Sequence, residues 1–394
     1  MSHTPDRSHG VTGPAGFRAA GVAAGIKETG ALDLALVVND GPGDAAAGVF
    51  TTNKVKAAPV LWSQRVLTQR RLRAVVLNSG GANACTGPEG FQDTHATAER
   101  VADVLDHGAI DIAVCSTGLI GQRLPMDAVL SGVDTAATAL RDGQDAGLAA
   151  ATAVLTTDSK PKQAHASHPD GWSVGGFAKG AGMLAPNLAT MLAVVTTDAV
   201  IDGDRLDVAL RAATGATFDR LDVDGGTSTN DTVLVLASHA SGVTPSQAEF
   251  TELLTAVCDD LVGQLQGDAE GATKLIEITV TGAASTSDAV DIGRTVAEDN
   301  LVKTALFGSD PNWGRIAMAV GRAPGAVDPD LLSIVINGVR VMDRGTSGKN
   351  RFDADLSGER IGIVIELGLG DGDATIRTTD LSHAYVEENS AYSS

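Results

Sequence analysis

The sequence predicts an α+β fold of mixed α/β layers, and three observations support that class. Apolar strand-like runs and amphipathic helices follow one another without the strict alternation that produces a single Rossmann sheet. The chain has 394 residues, and roughly 100–200 residues per domain predicts two or three domains or lobes. Hydrophobic residues make up 43% of the chain but include only 3 Trp, 2 Tyr and 8 Phe, so Ala, Val, Leu and Ile must fill the core.

The N-terminal part is predicted to combine short strands with a helix. Leu34–Asn39 and Ala46–Thr52 are apolar runs separated by the turn cluster NDGPGD, a pattern typical of a β-hairpin. Arg73–Asn78 is predicted to be a buried strand that leads into the glycine-rich loop SGGANACTG. Pro88 suits the first position of a helix, and apolar residues on one face predict that this helix covers 89–106.

The middle of the chain is predicted to continue this mixed pattern. Ala109–Ser116 is a second buried strand that ends in the loop TGLIGQRL, and Pro125 opens the next helix. The polar stretch TTDSKPKQAHASHPDG separates this region from a strand at Trp172–Ala178. Apolar segments then flank Pro186, and the second of them is predicted to become a buried strand that starts at Thr190.

The C-terminal part contains the clearest helix of the sequence. This helix follows Thr244 and Pro245, and its apolar residues from Phe250 to Leu265 recur at core spacing. The last third is predicted to be rich in strands, which lie at Lys274–Thr281, Leu332–Asn337, Arg360–Leu367 and Ala374–Leu381.

Charge and cysteine content exclude several classes of protein. Asp and Glu number 49 against 29 Lys and Arg, and the resulting net charge of −20 argues against binding to nucleic acids or anionic membranes. No run approaches the roughly 20 apolar residues of a membrane span, and the polar first ten residues do not resemble a secretory signal. The three cysteines match no disulfide framework or zinc spacing. We therefore expect a cytoplasmic enzyme.

Several familiar motifs fail on inspection. His165 and His168 lie in the polar stretch between two prolines, where a solvated loop is expected and a zinc site is not. The run DVDGGTSTND resembles a calcium loop, but Gly226 and Thr227 follow its acidic residues and Val233 replaces the final Glu. The glycines of GLGDGDA precede no helix-like segment, so a β-turn is expected there. We expect neither a metal site nor a redox cofactor.

The segment KGAGMLAPNLATM offers one further candidate, Thr190. Its pattern alone predicts a threonine at the start of a buried strand. A second interpretation is chemical: Pro186 and Asn187 set a tight, non-helical approach, and a cut before Thr190 would place a new α-amine within reach of its hydroxyl. With an ordinary pKa of about 7.7–8.0, that amine can act as general base for an otherwise weak nucleophile. Lys179 adds a nearby cation.

Seven ordered motifs identify a family. They are LNSGGANACTG, CSTGLIG, TTDSKPK, KGAGMLAPNLATM, EGATKLIEI, LVKTALFGSDPNWGRI and EENSAYSS. With them the chain resembles, over essentially its whole length, the glutamate N-acetyltransferase (ornithine acetyltransferase, ArgJ-type) family, whose precursors cut themselves before a threonine. The resemblance implies a layered αββα sandwich of the ornithine acetyltransferase/DmpA-like fold. It also implies an α chain (1–189) and a β chain (190–394), with a smaller strand-rich C-terminal lobe from about residue 283.

The resemblance assigns catalytic roles to residues of this chain. Cleavage is expected between Ala189 and Thr190, and Thr190 becomes the N-terminal nucleophile. Thr117 and Gly118 match the family's oxyanion-hole pair, which is needed because donors must face the oxygen that becomes negative in each tetrahedral intermediate. Without the resemblance, this STG sequence would be assigned to an ordinary strand-to-helix turn.

The resemblance also implies a substrate that carries an α-carboxylate and either an acetamide or an amine. Lys179 resembles the family's substrate-binding cation, and a compact ammonium group suits a carboxylate. The role of Glu270 stays open between pairing with an ornithine ammonium and ordering the new N-terminus. Asn389 and Ser394, which also match substrate contacts of the family, would otherwise be assigned to a frayed terminus. Further substrate contacts match Thr156, Thr190, Glu270, Asn389 and Ser394.

The predicted reaction is acyl transfer through an acetyl-Thr190 ester, from N2-acetyl-L-ornithine to L-glutamate. It requires no metal or redox cofactor, and whether acetyl-CoA is a second donor stays open. One alternative is an N-terminal-nucleophile aminopeptidase or amidase, in which water is the acceptor. Another is a non-catalytic, acidic ligand-binding protein that keeps the fold. Family resemblance implies a heterotetramer of two α and two β chains, with no nucleic-acid or membrane partner.

Overall fold

The computed structural model of the chain describes residues 4–184 and 191–391. These residues form two compact units, of which the first comprises 4–184, 191–219 and 227–265 and the second comprises 220–226 and 266–391. The strand-rich C-terminal lobe from about residue 283, which the resemblance implies, lies within the second unit. No helix in the described ranges combines the length and the apolar surface needed to cross a membrane.

The first unit contains nine strands and six α-helices among its described residues. The strands are Phe17–Val22 (β1), Leu34–Asn39 (β2), Ala45–Phe50 (β3), Ala74–Gly81 (β4), Ile112–Leu119 (β5), Lys162–His168 (β6), Trp172–Lys179 (β7), Leu192–Thr197 (β8) and Thr232–Ala237 (β9). The helices are Ala58–Val66 (α1), Gly87–Leu105 (α2), Met126–Ala139 (α3), Gln144–Ala153 (α4), Gly203–Ala216 (α5) and Gln247–Gln266 (α6).

Two sheets pack together in this unit. One has the strand order β1-β2-β4-β5, and the other has the order β3-β9-β8-β7-β6. All residues of β2, β7, β8 and β9 are buried, as expected of strands covered on both faces. One hydrophobic core contains side chains from both sheets and from α2, α3 and α4. On the second sheet, α5 packs against β3 and Phe250 of α6 stacks on Trp172 of β7. The predicted αββα layering is confirmed.

The predicted hairpin of the first two apolar runs is wrong. β2 pairs antiparallel with β1 and β4 in the first sheet, whereas β3 pairs with β9 in the second. The turn cluster therefore carries the chain from one sheet to the other, and the Asn39 amide donates to the carbonyls of Gly43 (3.1 Å) and Ala237 (3.2 Å). A local turn signal indicates that the chain reverses, but the distant strand β9 decides which sheet receives β3.

The predicted solvated loop around His165 and His168 is also wrong, because these residues belong to β6. His165 pairs with Gly175 of β7, and on its other side it forms a β-bridge with Asp6. The His165 side chain is only 12% exposed, and its Nδ1 lies 3.2 Å from a carboxylate oxygen of Asp6. Pairing with β7 along the segment, and with Asp6 at His165, makes it a strand, so tertiary context overrides its composition.

The second unit has its own sheet and core. Its strands are Leu275–Ala283 (β10), Ser333–Ile336 (β11), Val339–Asp343 (β12), Thr346–Ser347 (β13), Arg360–Glu366 (β14) and Gly372–Thr379 (β15). Its helices are Thr286–Ala297 (α7), Asn300–Phe307 (α8), Trp313–Gly321 (α9) and His383–Ala391 (α10). The sheet order is β13-β12-β11-β14-β10-β15, and the core cluster beneath it is separate from that of the first unit. Gly368 and Gly370 of GLGDGDA lie in the connection between β14 and β15, and Gly372 begins β15.

Candidate active site

Three of the predicted site residues meet at the end of β7 in the first unit. Lys179 is the last residue of β7, and its side chain is only 1% exposed. Its ammonium group donates to the hydroxyl of Thr156 at 2.7 Å and to that of Thr117 at 3.3 Å. The antiparallel partner of Lys179 is Leu192 of β8, which follows Thr190 by two positions in the chain. The structure thus brings the predicted substrate cation beside one oxyanion residue and one substrate contact.

A buried carboxylate, Asp158, organises the charges at this point. Its Oδ1 accepts hydrogen bonds from the Lys162 ammonium and from the Gly180 amide, both at 2.6 Å, and its Oδ2 lies 3.6 Å from Lys179 Nζ. Burial alone would raise the pKa of Asp158, but the two ammonium groups lower it to about 2. Two ammonium groups and one carboxylate leave this cluster with a net positive charge, which suits an anionic ligand.

Gly118 occupies a position that only glycine fits. Its φ angle is +126°, and a Cβ atom there would lie 2.6 Å from the amide nitrogen of Gly81 and 2.7 Å from the carbonyl carbon of Gly80. At the same place the register between β4 and β5 shifts, so part of the predicted glycine-rich loop extends β4. The STG sequence therefore lies within β5, and not in the strand-to-helix turn that its pattern suggests.

A polar residue that the sequence analysis missed, Asn230, holds this strand end in place. Its amide donates to the carbonyls of Ala82 (2.6 Å) and Ser116 (2.7 Å), and its Oδ1 accepts from the Thr229 hydroxyl at 2.6 Å. Ser116 directly precedes Thr117, so Asn230 holds the end of β5, which carries the predicted oxyanion-hole residues. A cavity of about 30 Å³ opens here, lined by Ala82, Thr117, Gly118, Ile120, Met183, Ser228, Thr229 and Asn230.

Asp231 is a second residue that the sequence analysis missed. β8 and β9 run parallel with Leu192 opposite Thr232, and the preceding residues therefore lie side by side. Oδ1 of Asp231 accepts a hydrogen bond from the Met191 amide at 3.0 Å. Burial raises the pKa of Asp231 well above its ordinary value, although the Met191 amide and the Lys179 ammonium oppose that effect. A polar run directly before an apolar strand is the signal that could have indicated both residues.

Two further predicted contacts meet in the second unit. The Asn389 side-chain amide donates to Oε2 of Glu270 at 3.0 Å and to the Tyr385 carbonyl, also at 3.0 Å. Asn389 lies in α10, so this part of the C-terminus is helical and not frayed. Burial, aided by Asp224 and Glu270, raises the pKa of the nearby Tyr385 to about 12. The predicted residues Ala189, Thr190 and Ser394 lie outside the described residues.

Comparison with known proteins agrees with the motif pattern. The model of the ArgJ family matches residues 18–394. An arginine biosynthesis bifunctional protein ArgJ from Mycolicibacterium paratuberculosis is 64% identical over 393 residues, which cover 98% of this chain and 97% of that protein. The chain belongs to the ArgJ family. A protein of the same name from Streptomyces avermitilis is 59% identical over 384 residues, covering 98% of this chain and 100% of the relative.

A solved structure of the ArgJ family also resembles part of this chain. It is described as ornithine acetyltransferase complexed with ornithine, from Mycobacterium tuberculosis, and is 65% identical. The match covers 48% of this chain and 100% of that one, with a TM-score of 0.47. The family relationship predicted from seven motifs is confirmed, and this chain is an ArgJ-family enzyme.

Proposed function

We propose that this chain transfers an acetyl group from N2-acetyl-L-ornithine to L-glutamate in arginine biosynthesis, after cleaving itself between Ala189 and Thr190. The observation that carries the proposal is the buried Lys179 ammonium, which donates to the hydroxyls of Thr117 and Thr156. Lys179 ends β7, and it pairs there with Leu192 of β8, two positions after the predicted nucleophile in sequence.

The charge of the Lys179 cluster supports an amino-acid substrate. Both proposed substrates carry an α-carboxylate, and the buried cluster of Lys179, Lys162 and Asp158, with two ammonium groups and one carboxylate, has a net positive charge that attracts that group. Glu270 and Asn389, which are hydrogen-bonded to each other, supply a carboxylate and an amide for the amino groups of the substrates. Thr156 and Ser394 complete the proposed set of substrate contacts.

The proposed chemistry uses groups of the chain alone. The α-amine of Thr190 accepts the hydroxyl proton, and Oγ attacks the acetamide carbonyl carbon. The Thr117 hydroxyl accepts from Lys179 and so keeps its own proton to donate, with Gly118, to the resulting oxyanion. The intermediate collapses as the C–N bond breaks and ornithine leaves with the proton. The glutamate amine then attacks the acetyl ester, and N-acetylglutamate departs as Thr190 regains its proton.

This scheme needs no metal or redox cofactor because Thr190 supplies both nucleophile and base. The relatives are named bifunctional, and we propose that acetyl-CoA is a second acetyl donor for this chain. We also propose that the chain acts in the cytoplasm as a heterotetramer of two α and two β chains.

The test compares the wild type with Thr190→Ala and Thr190→Ser. On a denaturing gel the wild type should give two bands near half of 40.0 kDa, and glutamate should be required for product formation. Thr190→Ala should stay uncut and inactive, while Thr190→Ser keeps a hydroxyl and should cut at least in part. Free acetate formed without glutamate would instead identify a hydrolase, and cleavage of Thr190→Ala would mean that another protease makes the cut.

A further inference from the structure

The peptide unit between Leu155 and Thr156 is held at both ends by charged side chains. The Lys27 ammonium donates to the Leu155 carbonyl at 2.6 Å, and Oδ2 of Asp158 accepts from the Thr156 amide at 3.2 Å. Because a peptide unit is planar, fixing its oxygen and its nitrogen fixes the direction in which the chain enters Thr156. The proposed function assigns a substrate contact to Thr156 but gives Lys27 no role.

The loop that carries Lys27 wraps around a buried carboxylate. Between β1 and β2, the Asp33 side chain accepts hydrogen bonds from the four consecutive amides of residues 24–27, at distances between 2.6 and 3.1 Å. The loop also packs on β4, since a Cβ atom at Gly80 would lie 3.0 Å from Ile26 and 3.3 Å from Lys27. The fold therefore sets the position of the Lys27 side chain before any ligand binds.

Lys27 interacts electrostatically with the Lys179 cluster. Burial lowers the pKa of Lys27, and the Lys179 ammonium lowers it further, whereas Asp33 and Asp158 oppose these effects. A neutral donor would satisfy the Leu155 carbonyl equally well, so the repulsion between two ammonium groups is a cost that this hydrogen bond does not require. A substrate carboxylate would offset that repulsion, which favours a role for Lys27 in the site.

The hydroxyl of Thr156 connects Lys27 to the proposed substrate cation. Thr156 lies between α4 and β6, outside any helix or strand, so side-chain contacts must fix its backbone. Its hydroxyl accepts from the Lys179 ammonium at 2.7 Å, and a hydroxyl that accepts from an ammonium keeps its own proton to donate to a ligand. Rotation of the Leu155–Thr156 peptide unit would turn this hydroxyl away from Lys179.

We propose that Lys27 is a positioning residue for the substrate contact Thr156: by holding the Leu155 carbonyl, its ammonium keeps the Thr156 hydroxyl against Lys179. There the hydroxyl and the Lys179 ammonium together receive the α-carboxylate of the substrate. The inference rests on the proposed function, which supplies that carboxylate. Because Thr156 takes no part in the acetyl transfer itself, Lys27 should affect substrate binding more than turnover.

The experiment is a double-mutant cycle on KM that combines Lys27→Met with Thr156→Val. Methionine keeps most of the apolar volume of lysine, and valine keeps the shape of threonine without its hydroxyl. The matched control is Arg73→Met, which also removes a cation that donates to two backbone carbonyls. These are the carbonyls of Gly41 (2.9 Å) and Gly43 (3.2 Å), at the opposite end of β4 from Gly80.

Lys27→Met should raise the KM for N-acetylornithine and for glutamate about tenfold, with kcat and the half-time of self-cleavage nearly unchanged. In the Thr156→Val background the same change should have little further effect on KM, because Lys27 acts through that hydroxyl. Arg73→Met should keep the wild-type KM. A wild-type KM in folded Lys27→Met protein, or an equal rise in the Thr156→Val background, would overturn the proposal.

Two further arms keep the result decisive. If Lys27→Met does not fold, Lys27→Gln takes its place: its amide nitrogen lies one bond short of the lysine nitrogen, so the Leu155 carbonyl still loses its donor and KM must rise. An unchanged KM in Lys27→Gln would then reject the positioning role.

The second arm is amide hydrogen exchange in residues 153–158, which needs no substrate. Exchange should be about tenfold faster in the Lys27 variant than in the wild type, and Arg73→Met should keep the wild-type rate. If the wild type does not acetylate glutamate, the proposed function fails, and the exchange rate alone decides whether Lys27 holds this segment. An unchanged rate would reject that role as well.

Discussion

At the scale of single residues, the candidate site depends on charges that the fold buries. Lys162, Lys179 and Asp158 are all enclosed, and removing ions from water costs several kcal/mol each unless partners replace the lost solvation. Here each charge has charged or hydroxyl partners within the first unit. Apolar side chains of similar volume could fill this space without burying any charge. The presence of three buried charges therefore favours a role in binding and catalysis.

Replacing Lys179 with Met tests its proposed binding role, since Met retains most of the apolar volume. We expect kcat/KM for both amino-acid substrates to fall about tenfold to a hundredfold, because a charge-assisted hydrogen bond is lost. Lys274→Met is the control, a buried lysine whose ammonium donates to the carbonyls of Leu356 and Gly358, both at 2.8 Å. Unchanged kcat/KM in a folded, cut Lys179→Met protein would remove Lys179 from the site.

Asp231 should also affect stability in a pH-dependent way. Because its folded pKa is raised, the folded chain holds this proton more tightly than the unfolded chain. The corresponding stability is fully present below the unfolded pKa of about 4 and is lost as pH rises through the folded pKa. Asparagine does not titrate, so the variant has no such loss. The Tm of Asp231→Asn minus the Tm of the wild type should therefore be larger at pH 7.5 than at pH 4.5. An equal Tm difference at both pH values would contradict the raised pKa.

At the scale of elements, the irregular pairing of β4 with β5 sets the geometry of the proposed oxyanion hole. The register shift at Gly80 and Gly81 leaves no space for a side chain at Gly118. Asn230 then fixes the carbonyl just before Thr117. Backbone groups held by two strands and an amide are ordered before substrate arrives, which is what an oxyanion hole requires.

Gly118→Ala tests this geometry, with Gly121→Ala as its matched control. Both glycines have positive φ angles, but a Cβ atom at Gly121 would meet no heavy atom within 4 Å, whereas one at Gly118 would meet the β4 backbone. We expect Gly121→Ala to lose about 1 kcal/mol of stability and to keep its activity. Gly118→Ala should lose about 3 kcal/mol or more together with transfer activity. Similar melting temperatures and activities for the two variants would contradict this account.

At the scale of the whole molecule, the predicted cut does not separate the two compact units. The second sheet takes β3, β6 and β7 from the predicted α chain (1–189) and β8 and β9 from the predicted β chain (190–394). Two strand pairs, β7 with β8 and β3 with β9, therefore cross between the cleaved chains. The core of the first unit also contains residues from both sides of the cut.

The cleaved chains should consequently remain associated. Native size-exclusion chromatography should give one peak that contains both chains, and they should separate only when urea unfolds the first unit. Thr190→Ala, as an uncut control, should elute at the same volume. Dissociation of the chains in native buffer would contradict the shared sheet.

The sequence by itself determined the elements with strong local patterns and the family. The long helix α6 and the strand β4 have apolar spacing that neighbouring residues suffice to explain. Motif order likewise indicated Lys179, Thr156, Thr117 and Gly118, because each stands in a distinctive stretch of sequence. The side chains of the proposed oxyanion hole and substrate cation could be recognised in this way.

Only the tertiary structure decided the pairing of the strands and the site residues Asp158, Asn230 and Asp231. β2 and β3 belong to different sheets despite the turn between them. β6 is a strand because β7 and Asp6 pair with it. Asp231 meets Met191 across 40 positions of the chain because β8 and β9 lie parallel in register. Local patterns report the preference of a segment for helix or strand, whereas pairing between distant strands depends on the free energy of the whole core, which no single segment contains.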